Sequence, residues 1–183
     1  MERELALRYR TPEALGMAVT AAARKSGMDV GRAISGFYFH RLLCRVFSVP
    51  DSPFLLKGGQ SILARTPTAR ATRDIDLLSQ EADLSSALFE LRELVSLDLE
   101  FFVRFESAGW RPIKVEDEYR SGLKVTFVPL LGARRLQPVS VDLVIDQISL
   151  RGARVVDACG QDRGRGGSRL RLSRLPNYEL HRR

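Results

Sequence analysis

The sequence predicts an α+β domain in which helices come first and a mixed sheet follows. Three observations carry this expectation. Residues 12–47 hold apolar side chains at helical spacing. Residues 100–146 change to short runs of apolar and β-branched residues punctuated by glycines. Between them, "LLKGGQSILARTPTARATRDIDLL" (residues 55–78) reads as strand, turn, short helix, loop and strand.

Thr11-Pro12 has the form of an N-cap followed by proline at the first helical position, so a helix is expected over 12–26, ended by Gly27. Asp29 caps a second helix over about 31–47, with Ile34, Phe37, Tyr38, Leu42 and Val46 on its apolar side. Pro50 and Pro53 break the pattern, and Phe54, Leu55 and Leu56 form a short strand. Gly58-Gly59 turns the chain into a short helix over 61–65. A loop over 66–71 leads to a strand near 73–78. A helix over 83–96 presents Leu84, Leu88, Leu91 and Val95 on one face. Strands are expected at 100–105, 111–115, 123–130 and 139–146, with Gly109, Gly122 and Gly132 between or beside them. Phe101, Phe102, Phe105 and Cys44 read as core, and Trp110 as a core tryptophan anchoring the surface.

The 183 residues suffice for one domain with a core, and no apolar run approaches the roughly 18 residues of a membrane helix. The N-terminus, "MERELALRYR", lacks the apolar stretch of a signal peptide. Cys44 and Cys159 lie far apart and read as free thiols, which suits a reducing cytoplasm. The two histidines, His40 and His181, argue against a zinc site or a His-based triad. Residues 1–150 carry 20 basic and 19 acidic side chains. Residues 151–183 carry nine arginines against Asp157, Asp162 and Glu179, so the net charge of +7 belongs mostly to an Arg/Gly-rich tail. Such a tail can hold phosphate backbones, but its composition alone favours a solvated, disordered end. The expected organisation is a domain over 1–150, with a helical part at 1–50 and a sheet at 51–150, followed by the tail at 151–183.

In a strand, residues i and i+2 point to the same side. Asp74 and Asp76 therefore project together while Ile75 and Leu77 enter the core. Adjacent carboxylates repel unless a cation lies between them. Mg²⁺ and ions like it take oxygen ligands and leave places for substrate phosphates, and a pair of them can clamp an in-line phosphoryl displacement. The strand "VSVDLVID" (139–146) offers a third carboxylate: Val141, Leu143 and Ile145 point one way, Asp142, Val144 and Asp146 the other. Asp142 lies mid-strand and is the better candidate, with Asp146 as the competitor at the strand end. Gly58 and Gly59 let the backbone approach a phosphate closely, and Gln60 and Ser61 add hydrogen-bonding groups. Lys57 either reaches a phosphate or stands in water at the strand end. Arg65, Arg70 and Arg73 are candidates for triphosphate or RNA contact, although a loop arginine is more often simply solvated.

Lys57, Gly58, Gly59, Ser61, Arg70, Thr72, Asp74, Asp76 and Leu77 resemble the signature of the nucleotidyltransferase-fold toxins of the AbiEii/AbiGii type, a group that includes the mycobacterial MenT toxins. "YRSGLKVTFVPLLGARRLQPVSVDLVID" extends the resemblance, which covers about residues 50–148. It implies a nucleotidyltransferase-like (polymerase-β-type) fold with Asp74, Asp76 and Asp142 as catalytic and metal-binding residues. It further implies Lys57, Gly58, Gly59 and Ser61 at the nucleotide, and Mg²⁺ or Mn²⁺ as cofactor. The activity implied is transfer of a nucleoside monophosphate from an NTP to an RNA acceptor, in the MenT branch the tRNA 3′ end, opposed by a cognate antitoxin protein. Members of this family continue into a helical C-terminal half with further Lys and Asp residues, whereas this sequence stops at "LSRLPNYELHRR". A short or C-terminally truncated member is therefore expected, with Lys57, Lys114, Lys124 or a tail arginine in place of the missing lysine. The alternative is a catalytically degenerate RNA- or protein-binding module of the same fold, and a weaker one is a metal-dependent nuclease using the same carboxylates.

Overall fold

Three helices begin at side-chain caps that satisfy amides the helix itself leaves unpaired. In a computed structural model, which describes residues 9–57, 74–99, 102–113 and 120–146, α1 runs Pro12–Lys25 after Thr11, whose hydroxyl accepts from the Ala14 amide at 3.2 Å. α2 (Val30–Val46) follows Asp29, which accepts from the Arg32 amide at 2.8 Å. α3 (Leu84–Ser96) follows Asp83, which accepts from the amides of Ser85 and Ser86 at 2.8 and 2.9 Å. The Ser86 amide and hydroxyl together hold the Asp83 carboxyl below its ordinary value.

The strands are β1 (Phe54–Lys57), β2 (Asp74–Ser79), β3 (Val103–Ile113), β4 (Arg120–Leu131), β5 (Arg134–Arg135) and β6 (Val139–Asp146). They form one sheet in the order β1-β2-β6-β4-β3, with β5 attached to β4. β2 and β6 run parallel, and every other pair is antiparallel. The alternation along β2 and β6 sends Ile75, Leu77, Val141 and Leu143 into one core with Val125, Phe127, Leu91, Val95, Leu42 and Val46. The three helices among the described residues all contribute to that core, so they lie against one face of the sheet.

These elements match the expected α+β order and agree with the expected boundaries to within a few residues at most ends. Gly109 is a correction. The sequence suggests two strands on either side of it, but β3 runs through it as one strand. Gly109 has φ +128, and the register with β4 shifts between Ser107 and Gly109, so the glycine makes a bulge rather than a break. Gly122 also lies within β4, where a Cβ would meet Ile113 at 2.7 and 2.8 Å and press on a neighbouring backbone oxygen at 3.2 Å. Trp110 is 51% exposed, because the helices cover the Val103–Phe105 end of edge strand β3 and leave its far half open. Phe105 and Cys44 are buried, and Phe102 packs against the core at its rim. The expected helix at 61–65, the loop at 66–71, Phe101, Cys159 and the tail at 151–183 lie outside the described residues.

The last turns of α2 are buried on nearly every side, from Arg41 to Val46. This helix sits between α1, α3 and β6, which is why it buries more than one stripe. Arg45 lies at its centre and is 1% exposed. Its Nε donates to the Leu97 carbonyl at 3.0 Å, one Nη to the Arg41 carbonyl at 2.9 Å, and the other Nη to the Val103 carbonyl. The guanidinium also lies over the Phe105 ring, 5.0 Å from its centroid. A single side chain thereby ties α2 to the end of α3 and the start of β3. Arg45→Leu removes these donors and leaves buried carbonyls unpaired, at a cost of about 3 kcal/mol or more. Urea unfolding of the variant should show that loss, and a change below about 1 kcal/mol would contradict the tie.

Candidate active site

Carboxylates gather on the sheet face opposite the helices, and strand alternation decides which ones. Ile75 and Leu77 are buried at 0% and 1%, which turns Asp74 and Asp76 to the other side of β2. Val141 and Leu143 are both fully buried on β6 and turn Asp142 the same way. The β2–β6 register sets Asp76 directly beside Asp142, and Asp74 beside Ser140. The register continues outward on both sides: Lys57 on β1 lies opposite Asp76, Lys124 on β4 opposite Asp142, and Arg111 on β3 opposite Lys124. One row across the sheet therefore reads Lys57, Asp76, Asp142, Lys124, Arg111.

Lys124 gathers two of these carboxylates. Its Nζ lies 3.0 Å from Asp74 Oδ2 and 3.0 Å from Asp142 Oδ1. The side chains of Lys124, Asp142 and Asp74 are 19%, 25% and 39% exposed, so water screens the contacts only in part. Asp142 Oδ1 is buried, and the Lys124 ammonium is the cation set against it. Burial opposes the charge on Lys124, yet hydrogen bonding and attraction from Asp142 and Asp74 outweigh it and hold the ammonium above its ordinary value. Asp76 shifts upward as well. Burial is the first cause, followed by repulsion from Asp142 and Asp74, with Lys124 and Lys57 pulling the other way.

Three carboxylates are hard oxygen donors, and their chemistry suits Mg²⁺ or Mn²⁺. Among the described residues, no three His, Cys, Asp or Glu side chains are drawn together closely enough to hold a metal ion, and the Lys124 ammonium lies against two of these three carboxylates. The donor set fits a divalent ion in kind.

Of the residues the sequence singles out, the structure brings Asp74, Asp76, Asp142 and Lys57 to one face. Gly58, Gly59, Gln60, Ser61, Arg65, Arg70, Thr72, Arg73 and Lys114 lie outside the described residues. The Lys124 bridge was not legible in advance. Lys124 stands out in the sequence only as one of several lysines able to meet a phosphate. Its partners depend on a register that links β4, β6 and β2, which a strand pattern alone does not supply.

Comparison with known proteins adds to this geometry. The family described as "Nucleotidyl transferase AbiEii toxin, Type IV TA system" matches residues 41–157, more than half of the chain. The chain belongs to that family. No curated protein is matched. Among solved structures, one from H. pylori, assigned as a nucleotidyltransferase, aligns at TM-score 0.44 and 14% identity, covering 66% of this chain and 51% of its own. JHP933 from Helicobacter pylori aligns at TM-score 0.43 and 15% identity, covering 66% of this chain and 49% of its own. The chain spans about half the length of these structures. Among the described residues, no helix is long and apolar enough to cross a membrane.

Because the Asp76 carboxyl is raised in the folded protein, its ionisation opposes folding. The penalty is absent below the unfolded value near 3.8 and grows as pH rises through the folded value. Asp76→Asn should therefore melt higher than the wild type at pH 7 in EDTA. The gain should shrink on acidification and vanish below pH 3.8. Thermal melts across that range check it, and a gain independent of pH would contradict the electrostatic cause.

Proposed function

We propose that this chain is a metal-dependent nucleotidyltransferase toxin of a toxin–antitoxin system. It transfers a nucleoside monophosphate from an NTP to an RNA acceptor, the tRNA 3′ end, and so blocks translation. The observation that carries this reading is the register of Asp76 with Asp142 on adjacent parallel strands, with Asp74 on the same face. Family membership supports it.

Asp74 and Asp76 would hold Mg²⁺ or Mn²⁺, and Asp142 would complete the ligand set. A divalent ion bound there neutralises charge on the transferring phosphoryl group. Asp142 would also orient the acceptor hydroxyl and take its proton. The hydroxyl oxygen bonds to the α-phosphorus, the bond to the bridging oxygen breaks, and pyrophosphate leaves. Gly58, Gly59 and Ser61 would hold the triphosphate through backbone and hydroxyl groups, with Lys57 beside them at the end of β1. Positioning and charge neutralisation supply most of the catalysis in such a transfer. A cognate antitoxin protein would oppose the activity, and the reaction would take place in the cytoplasm.

The Lys124 bridge favours a second reading, a catalytically degenerate RNA- or protein-binding module whose carboxylates are neutralised by the lysine. One experiment separates the two. The protein is incubated with Mg²⁺, total tRNA and each α-labelled NTP in turn, beside the Asp74→Ala/Asp76→Ala variant. The transferase labels tRNA with one or more NTPs, and the variant loses about 10²-fold or more of that activity. A folded wild-type protein that labels no RNA with any NTP would favour the binding module.

A further inference from the structure

Lys124 stands where the site needs positive charge. Asp74, Asp76 and Asp142 share one sheet face, and holding them together costs free energy unless a cation lies among them. The Lys124 ammonium supplies that charge, 3.0 Å from an oxygen of Asp74 and 3.0 Å from an oxygen of Asp142. The backbone explains how it reaches both. Lys124 is registered beside Asp142, and Asp74 lies diagonally beyond it, one strand further on. The side chain thus reaches across β6 and remains 19% exposed, although a lysine on this face could extend into water. The oxygens it engages are the donors a hard divalent ion would take. An ammonium and a divalent ion in contact with the same oxygens repel each other, so each weakens the hold of the other.

We propose that Lys124 is a resident counter-cation. It holds Asp74 and Asp142 in position and competes with a divalent ion for them, so ion binding and release of the ammonium are one event. This rests on the metal-binding reading of the three carboxylates, and it makes Lys124 a positioning residue. Once released, the ammonium stays on the same face, next in the row to Arg111, where it meets the anionic part of a substrate.

Lys124→Met keeps most of the stem and removes the charge. Mn²⁺ binding is measured by the electron paramagnetic resonance of free Mn²⁺, and melting temperature in EDTA and in Mn²⁺, for the wild type, Lys124→Met, Lys124→Arg and Asp76→Ala. Lys124→Met should bind Mn²⁺ about five-fold or more tightly than the wild type. It should melt lower in EDTA and recover in Mn²⁺, and Lys124→Arg should return both readouts towards the wild type. A lysine that only packs would lower melting in both conditions and leave the affinity unchanged or weaker, and that result overturns the proposal. Should Lys124→Met not fold, the wild type still decides. The chain has four lysines, so the Lys124 Nζ signal can be followed by ¹⁵N NMR. Faster proton exchange there on adding Mg²⁺ supports displacement, and an unchanged signal overturns it. If neither the wild type nor Lys124→Met binds Mn²⁺, the metal reading falls and the proposal with it. If the wild type binds, Asp76→Ala does not, and Lys124→Met binds no tighter, only the role of Lys124 falls.

Discussion

The pairing of β2 with β6 is the constraint on which the candidate site depends. These two central strands run parallel, with Ile75 beside Val141 and Leu77 beside Leu143. All four are buried at 1% or less, so the core fixes their register. A slip of one residue would send Ile75 and Leu77 outward and the aspartates into the core. The same apolar packing that stabilises the sheet therefore sets Asp76 beside Asp142. Hydrophobic burial thus decides which face the charged groups take.

That arrangement works against itself electrostatically. Carboxylates on one face repel, and that repulsion adds to burial in raising Asp76 above its ordinary value. The lysines flanking the two aspartates in that row temper the repulsion, Lys57 on one side and Lys124 on the other. Arg45 answers a different problem on the opposite side of the sheet. There a cation is buried where α2, α3 and β3 meet, satisfied by carbonyl oxygens and an aromatic ring rather than by solvent. Arg45 in the core and Lys124 on the carboxylate face each join segments distant in sequence.

Much of this was legible from local pattern. The caps at Thr11 and Asp29, the apolar stripe of α3 and the alternation in "DIDLL" and "VSVDLVID" all appear as the residues suggest. Each depends on neighbours a few positions away. What escaped the sequence depends on distant partners. Gly109 reads as a break because glycine weakens strands, and only the pairing with β4 shows that it forms a bulge. Trp110 reads as core because it is large and apolar, and only the sheet order shows that its strand lies at an edge. Arg45 resembles any helical arginine until the carbonyls of Leu97 and Val103 come within its reach. The Lys124 bridge spans three strands, and no spacing along the chain encodes it.

The order of the strands also has a consequence for synthesis. Asp74 and Asp76 belong to an early strand, whereas Asp142 comes from β6, the last among the described residues, after α3, β3, β4 and β5 have been made. Parallel pairing between such distant segments is slow to form, because the intervening chain must first be brought back on itself. A growing chain on the ribosome thus exposes Asp74 and Asp76 well before their third partner exists. The carboxylate set is completed only when β6 inserts between β2 and β4, so the polypeptide cannot display it during most of its own translation.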